Sequence, residues 1–187
     1  MMRRIGPLFS GLLIGVGVGA ALIYIFLRPA DPPKFSEVLD DSIINAGIAV
    51  GDRAPDFELI ALSGETIALD DLRGHPVLIN FWATWCGPCR LEMPAFQERY
   101  GKYEGDLRVI AVNFDEAQED VQIFVDELGL TFDILMDPGA EIQQFYQIRG
   151  YPTSFFVDVD GIIQAQHIGL IVDSQLDENL AKIGLNP

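Results

Sequence analysis

The chain has 187 residues and a mass of 20.7 kDa, which leaves room for one domain of ordinary size and an appendage and excludes two large domains. Its 12 Lys and Arg residues against 28 Asp and Glu residues give a net charge of −16, and so acidic a surface repels nucleic acid. Because there are only two cysteines, a disulfide-stapled mini-protein, a four-cysteine zinc site and an ordinary iron–sulfur cluster are also excluded.

An uncharged stretch near the N-terminus predicts a membrane anchor. Residues Ile5–Leu27 carry no charge, and a helix of this length is about 35 Å long, enough to cross a hydrocarbon core of about 30 Å. Arg3 and Arg4 before it favour an N-terminus on the inner side, which places the rest of the chain outside the cytoplasm. The alternative is a signal peptide cleaved near Val18 and Ala20.

We expect three segments: a membrane anchor over residues 1–28, a tether over 29–50 and a globular domain over 51–187. The last segment alternates short apolar runs with helix-length stretches, which is typical of an α/β domain. Strands are predicted over residues 57–61, 66–69, 76–82, 107–114, 132–136, 154–158 and 162–168, the first two forming a hairpin around Ser63 and Gly64. Helices are predicted over residues 87–103, 121–128, 140–146 and 174–183, the first with a kink at Pro94.

The two cysteines lie directly after an apolar strand and at the start of a helix, in the sequence Trp85-Cys86-Gly87-Pro88-Cys89. This spacing brings both sulfurs within bonding distance over one helical turn. The N–H groups and dipole of the helix start favour the thiolate of Cys86, which we expect to be the attacking sulfur. Cys89, one turn deeper, should be shielded and resolve the mixed disulfide. Gly87 permits a close turn, and Pro88 needs no N–H partner in the first helical turn.

Other roles for the cysteine pair are less well supported. A zinc site would need His75 and His167, whose isolated positions do not suggest one. A c-type haem needs a histidine directly after the second cysteine, where Arg90 stands. A structural disulfide that closes so short a loop would stabilise the fold little. Redox chemistry is therefore favoured.

The WCGPC motif after a Phe-Trp-Ala strand end, with Pro94 in the following helix and Tyr151-Pro152-Thr153 before a late strand, resembles the thioredoxin superfamily. The chain is most similar to the membrane-anchored TlpA/ResA-type reductases, which include the cytochrome c biogenesis thioredoxins. Further shared features are the segment Ala54-Pro55-Asp56-Phe57, the Gly64 hairpin, an extra segment over 116–136, Glu92 and a single anchor. The resemblance implies a thioredoxin-like α/β fold with an N-terminal hairpin and a central insertion, preceded by one transmembrane helix.

The resemblance also implies site residues. Pro152 looks like the family's cis-proline, whose loop would face the sulfurs and pair with an extended substrate segment. The implied substrate-binding residues are Trp85, Gly87, Pro88, Tyr151, Pro152 and Thr153. Asn80 stands where a typical thioredoxin has a buried acid, so Glu92, three residues after Cys89, would have to accept the proton. The alternative for Glu92 is an exposed helix carboxylate with no role.

The leading hypothesis is an extracytoplasmic protein-disulfide reductase, a thiol-disulfide oxidoreductase that the resemblance links to exported proteins such as apocytochrome c. A membrane thiol relay would supply its electrons, and no cofactor, metal or nucleic acid is expected. One alternative is a peroxiredoxin-type peroxidase, whose motif before the reactive cysteine differs from the residues that precede Cys86. Another is a copper-delivery protein on the same fold, which typically spaces its cysteines by three and adds a histidine.

Overall fold

The structure is a computed structural model that describes residues 48–186. None of the helices within this range is long and apolar enough to cross a membrane. The predicted spanning helix Ile5–Leu27 and most of the predicted tether lie outside the described residues, so the anchor, its cleavage and the domain boundary at residue 51 stay predictions.

Seven strands and four α-helices make up the described part of the chain. The strands are β1 (Glu58–Ala61), β2 (Thr66–Ala68), β3 (Val77–Trp82), β4 (Arg108–Phe114), β5 (Asp133–Asp137), β6 (Thr153–Val157) and β7 (Ile163–Ile168). The helices are α1 (Gly87–Lys102), α2 (Gln118–Leu128), α3 (Glu141–Phe145) and α4 (Asp173–Lys182), with short 3-10 turns at Asp70–Leu72 and Pro138–Ala140. The predicted elements are confirmed, with ends that differ by a few residues.

All seven strands form one sheet in the order β2-β1-β5-β4-β3-β6-β7. The three central strands, β5, β4 and β3, are parallel, and the outer strands join them antiparallel. All six residues of β3 are buried, and all of them except Asn80 are apolar, as expected for a strand covered on both faces. Strand β5 lies between the N-terminal hairpin and β4, and the mixed α/β sheet agrees with the predicted thioredoxin-like fold.

Alternate side chains of β3 enter two hydrophobic cores. Leu78 and Trp82 pack in the core that includes Phe96 of α1, Phe124 of α2 and residues of α4. Ile79 and Phe81 point to the opposite core, with the N-terminal segment and the residues around α3. Asn80 is on the same face as Leu78 and Trp82, and the strand therefore directs an amide toward α1.

Helix α1 continues through Pro94 and ends at Lys102, so this proline does not end the helix. Its last turn is bound to α4 by Arg99, which is only 8% exposed. The guanidinium donates from Nε and Nη2 to the two carboxylate oxygens of Asp177 over 3.0 and 3.2 Å. This paired contact fixes the helix that bears the cysteines against the C-terminal helix.

Candidate active site

Cys86 and Cys89 form a disulfide with an S–S distance of 2.00 Å and a Cα–Cα distance of 5.3 Å. Cys86 is the N-terminal capping residue of α1, and its Sγ accepts a hydrogen bond of 3.1 Å from the backbone N–H of Cys89. Cys86 keeps 4% of its surface exposed, whereas Cys89 keeps none. The first sulfur is thus the more accessible and lies where helix N–H groups stabilise an anion.

Gly87 and Pro88 lie between the cysteines, and both are exposed. Pro88 is in the first turn of α1, where its missing N–H removes no helical hydrogen bond. The turn does not depend on glycine at this position, because Gly87 has no left-handed φ and a Cβ there would meet no atom within 4 Å. The missing side chain instead leaves open the surface beside Cys86.

Glu92 is 1% exposed on α1, one helical turn after Cys89. Its Oε1 accepts from Asn80 Nδ2 over 2.9 Å, and its Oε2 accepts from the backbone N–H of Ile171 over 3.1 Å. Burial raises the pKa of the Glu92 carboxyl to about 7, although the hydrogen bonds from Ile171 and Asn80 oppose this rise. The alternative of an exposed carboxylate is therefore wrong, and Glu92 can gain or lose a proton near neutral pH.

The loop that the resemblance singled out begins β6, and the Tyr151–Pro152 peptide bond is cis. The carbonyl of Pro152 accepts from the N–H of Gly169 over 2.8 Å, which ties this loop to the end of β7. Thr153 is buried, and its hydroxyl donates to the carbonyl of Gly150 over 2.8 Å. The side chain of Thr153 therefore holds the loop together, and its backbone lies between β3 and β7 in the sheet.

A groove of about 490 Å³ runs beside the disulfide. Its walls are formed by Trp85, Cys86, Gly87, Pro88, Ile148, Arg149, Gly150 and Tyr151. Four of the predicted substrate-binding residues are thus brought together at Cys86. Trp85 is 64% exposed and packs edge-on against Tyr151, with 5.6 Å between ring centroids. An exposed ring beside an open groove is suited to contact with another protein.

Several residues of the site were not predicted from the sequence. Ile148 and Arg149 precede the Tyr151-Pro152 segment, and no motif marks them. Ser154 accepts a 3.0 Å hydrogen bond from Asn80, and Glu116 binds Thr84 across 32 residues of sequence. Such contacts depend on strand register and loop shape, which no local pattern indicates. The one usable signal was the polar Asn80 in an otherwise apolar strand, because a buried amide needs hydrogen-bond partners.

Within residues 48–186, no group of three or more His, Cys, Asp or Glu side chains is arranged to hold a metal ion. His75 precedes β3, while His167 lies on β7 with its Nε2 3.2 Å from the carbonyl of Leu170. Neither histidine is among the residues that line the groove beside the disulfide.

A cysteine pair that caps a helix and closes its own disulfide, on a sheet of this order, defines a thioredoxin-like oxidoreductase. The chain belongs to the AhpC/TSA family, whose model matches residues 50–166. The thioredoxin-like protein YneN of Bacillus subtilis is 43% identical over 137 residues, which cover 72% of this chain and 80% of YneN. The thiol-disulfide oxidoreductase ResA of Bacillus anthracis is 42% identical over 135 residues, which cover 72% of this chain and 78% of ResA.

Among solved structures, StoA from Bacillus subtilis has a TM-score of 0.59 and 31% identity, covering 67% of this chain and 96% of that one. The predicted family is thus confirmed. So is the predicted enzyme class, a thiol-disulfide oxidoreductase of the protein-disulfide reductase kind.

Proposed function

We propose that the protein is a membrane-anchored, extracytoplasmic reductant of disulfides in exported proteins, with apocytochrome c as one such substrate. The observation that carries this proposal is the asymmetry of the cysteine pair. One sulfur borders an open groove, and the other is buried one helical turn from a carboxylate with a pKa of about 7.

The reaction begins with the reduced pair. The Cys86 thiolate attacks one sulfur of the substrate disulfide, so that a Cys86–substrate bond forms and the other substrate sulfur leaves as a thiolate. Glu92 then accepts the proton of Cys89, and the Cys89 thiolate attacks Sγ of Cys86. The intramolecular disulfide forms and the second substrate thiolate is released. Two electrons have passed to the substrate, and the protons on Glu92 and in solvent neutralise the two thiolates.

The groove supports a protein substrate. It has a volume of about 490 Å³ and is lined by the aromatic Trp85 and Tyr151, the aliphatic Ile148 and the cationic Arg149. We propose that an extended segment on either side of the substrate cysteine lies between Trp85 and the loop before Pro152, with backbone pairing of the kind used when a peptide adds to a sheet.

The location outside the cytoplasm is inferred from the sequence Ile5–Leu27 and the arginines before it. An enzyme in an oxidising compartment needs a source of electrons to act as a reductant, and we propose a membrane thiol relay as the donor. Protease added to intact spheroplasts that express the full chain should remove the domain. Protection of the domain until the membrane is broken would contradict this topology.

The direction of electron flow is tested by the reduction potential of the Cys86/Cys89 pair, measured in thiol–disulfide buffers. We expect a value near that of thioredoxin, about −270 mV, whereas a value near that of the oxidant DsbA, about −120 mV, would contradict a reducing role. Peroxide consumption and copper titration with the same sample test the two alternatives. Peroxide turnover faster than disulfide reduction, or stoichiometric copper binding abolished by Cys86→Ser, would favour one of them instead.

A further inference from the structure

The turn that leads from β3 into Cys86 is held from the side by a carboxylate of another segment. Residues 83–86 form a β-turn closed by a 3.1 Å hydrogen bond from the N–H of Cys86 to the carbonyl of Ala83. Thr84 is the second residue of this turn, and the turn itself offers no acceptor for its N–H. Glu116 supplies one: its Oε2 accepts from the Thr84 N–H over 2.7 Å, and its Oε1 accepts from the Thr84 hydroxyl.

Glu116 is itself held in place by the end of β4. Asn113, fully buried and in register with Trp82 of β3, donates from Nδ2 to Glu116 Oε2 over 2.8 Å. Asp115 adopts a left-handed φ of 41°, uncommon for a residue other than glycine, and its carboxylate accepts from the N–H of Gly139 over 2.8 Å. The loop after β4 is thus fastened at two of the residues that precede Glu116.

The next residue of the turn is supported by the same segment. Trp85 packs edge-on against Phe114, with 6.4 Å between ring centroids, while Phe114 also packs against Tyr151 at 5.5 Å. Residues 113–116 therefore contact both residues that precede Cys86, one through hydrogen bonds and the other through its ring.

We propose that Glu116 is a positioning residue for thiol–disulfide exchange, which fixes the turn that presents Cys86 and Trp85 to the groove by binding Thr84. This inference rests on the proposed role of Cys86 as the attacking sulfur. A displacement of about 1 Å at reacting atoms can slow a reaction about 100-fold. A turn that loses one of its supports should shift less than that, and we expect about a 10-fold loss.

The test uses the reduced full-length chain with Cys89→Ala, in which Cys86 is the one remaining thiol. The second-order rate constant of Cys86 with oxidised glutathione should fall about 10-fold in Glu116→Ala. Glu116→Gln keeps an amide oxygen that can accept from the Thr84 N–H, and its rate should stay within about threefold of the parent. The matched control Glu119→Ala, an exposed acid at the start of α2, should leave the rate unchanged.

Two further measurements separate positioning from a loss of folding. The fluorescence anisotropy of Trp85, measured with Trp82→Phe as the background, should fall in Glu116→Ala and not in Glu119→Ala. Thr84→Val removes the hydroxyl contact alone. Adding it to Glu116→Ala should slow the reaction no further, because Glu116→Ala has already removed that contact. Losses that multiply in the double variant, or a rate for folded Glu116→Ala equal to that of Glu119→Ala, would overturn the inference. If Cys86 of the parent does not react, the proposed function itself fails, and that outcome is visible before any Glu116 variant is compared.

Discussion

Asn80 of β3 donates a hydrogen bond of 2.9 Å to the carboxylate of Glu92 on α1, and both side chains are buried behind the disulfide. A typical thioredoxin has a buried acid at the strand position of Asn80. In this chain that position instead holds an amide that donates a hydrogen bond to the buried acid Glu92. The same amide group donates to Ser154 over 3.0 Å, two residues after Pro152. A single amide thus connects the strand, the cysteine helix and the strand that begins at the cis-proline loop.

Replacing Asn80 with Asp should place two carboxyl groups in hydrogen-bond contact. Two carboxylates so close in a buried site cannot both ionise readily, so the pair should retain one proton and the variant should be destabilised as the pH rises. We expect Asn80→Asp to lose about 3 kcal/mol or more of unfolding free energy at pH 8 and much less at pH 5. Urea denaturation of the oxidised protein at the two pH values measures this.

Asn179→Asp is the matched control, since Asn179 of α4 faces Lys182 at 2.9 Å and a carboxylate there gains an opposite charge. It should show no loss that grows with pH. An equal loss for Asn80→Asp at pH 5 and pH 8 would show that the new carboxyl does not share a proton with Glu92.

Glu92 should also make the stability of the oxidised protein depend on pH. Its pKa is raised from 4.5 to about 7 in the folded protein. Between these values the folded state holds a proton that the unfolded state has lost, so the contribution is full below about pH 4.5 and is lost as the pH rises through 7. Removing the ionisable group by Glu92→Gln should flatten this profile by about 3 kcal/mol between pH 4 and pH 8. Denaturation curves across this range, with exposed Glu65→Gln as the control, provide the measurement, and parallel profiles for wild type and Glu92→Gln would contradict it.

The same substitution should slow catalysis in a pH-dependent way. Resolution requires Cys89 to lose a proton in a fully buried site, and a carboxylate one helical turn away can accept that proton directly or through one water. Glu92→Gln should slow reduction of a model disulfide near neutral pH by about 10- to 1,000-fold, because water is the remaining base. Stopped-flow rates across pH decide the matter, and an unchanged pH–rate profile in Glu92→Gln would remove Glu92 from the mechanism.

Arg99 should contribute to stability through its contact with α4. Arg99→Ala leaves Asp177 without its paired donor and should cost about 1.5 to 3 kcal/mol of unfolding free energy, the usual range for hydrogen bonds to charged groups. The exposed pair of Lys182 and Glu178 on α4 provides the control, and Glu178→Gln should cost no more than about 0.5 kcal/mol. Equal losses of unfolding free energy for Arg99→Ala and Glu178→Gln in denaturant titrations would show that burial of Arg99 adds nothing to stability.

The sequence predicted the strands, helices and cysteine pair because each of these depends on local pattern. An apolar run such as β3 reports burial on two faces, and a CxxC spacing at a helix start needs no tertiary information. The hydrogen-bond partners of Glu92 could not be predicted from the sequence, since the N–H of Ile171 comes from a loop 79 residues away in the chain. The reason for a glycine at position 87 could not be predicted either, because glycine has several uses and only the backbone angle shows which one applies.

The assignment of Cys86 as the attacking sulfur and Cys89 as the resolving sulfur is tested most directly by trapping a mixed disulfide. A reduced Cys89→Ser variant should form a stable mixed disulfide with a protein substrate through Cys86, since the buried sulfur that would release it is missing. Cys86→Ser should trap almost none, because Cys89 is fully buried. Non-reducing electrophoresis followed by mass spectrometry of the linked peptides identifies the bond. Capture of substrate by Cys86→Ser, with none by Cys89→Ser, would reverse the assignment and contradict the proposed mechanism.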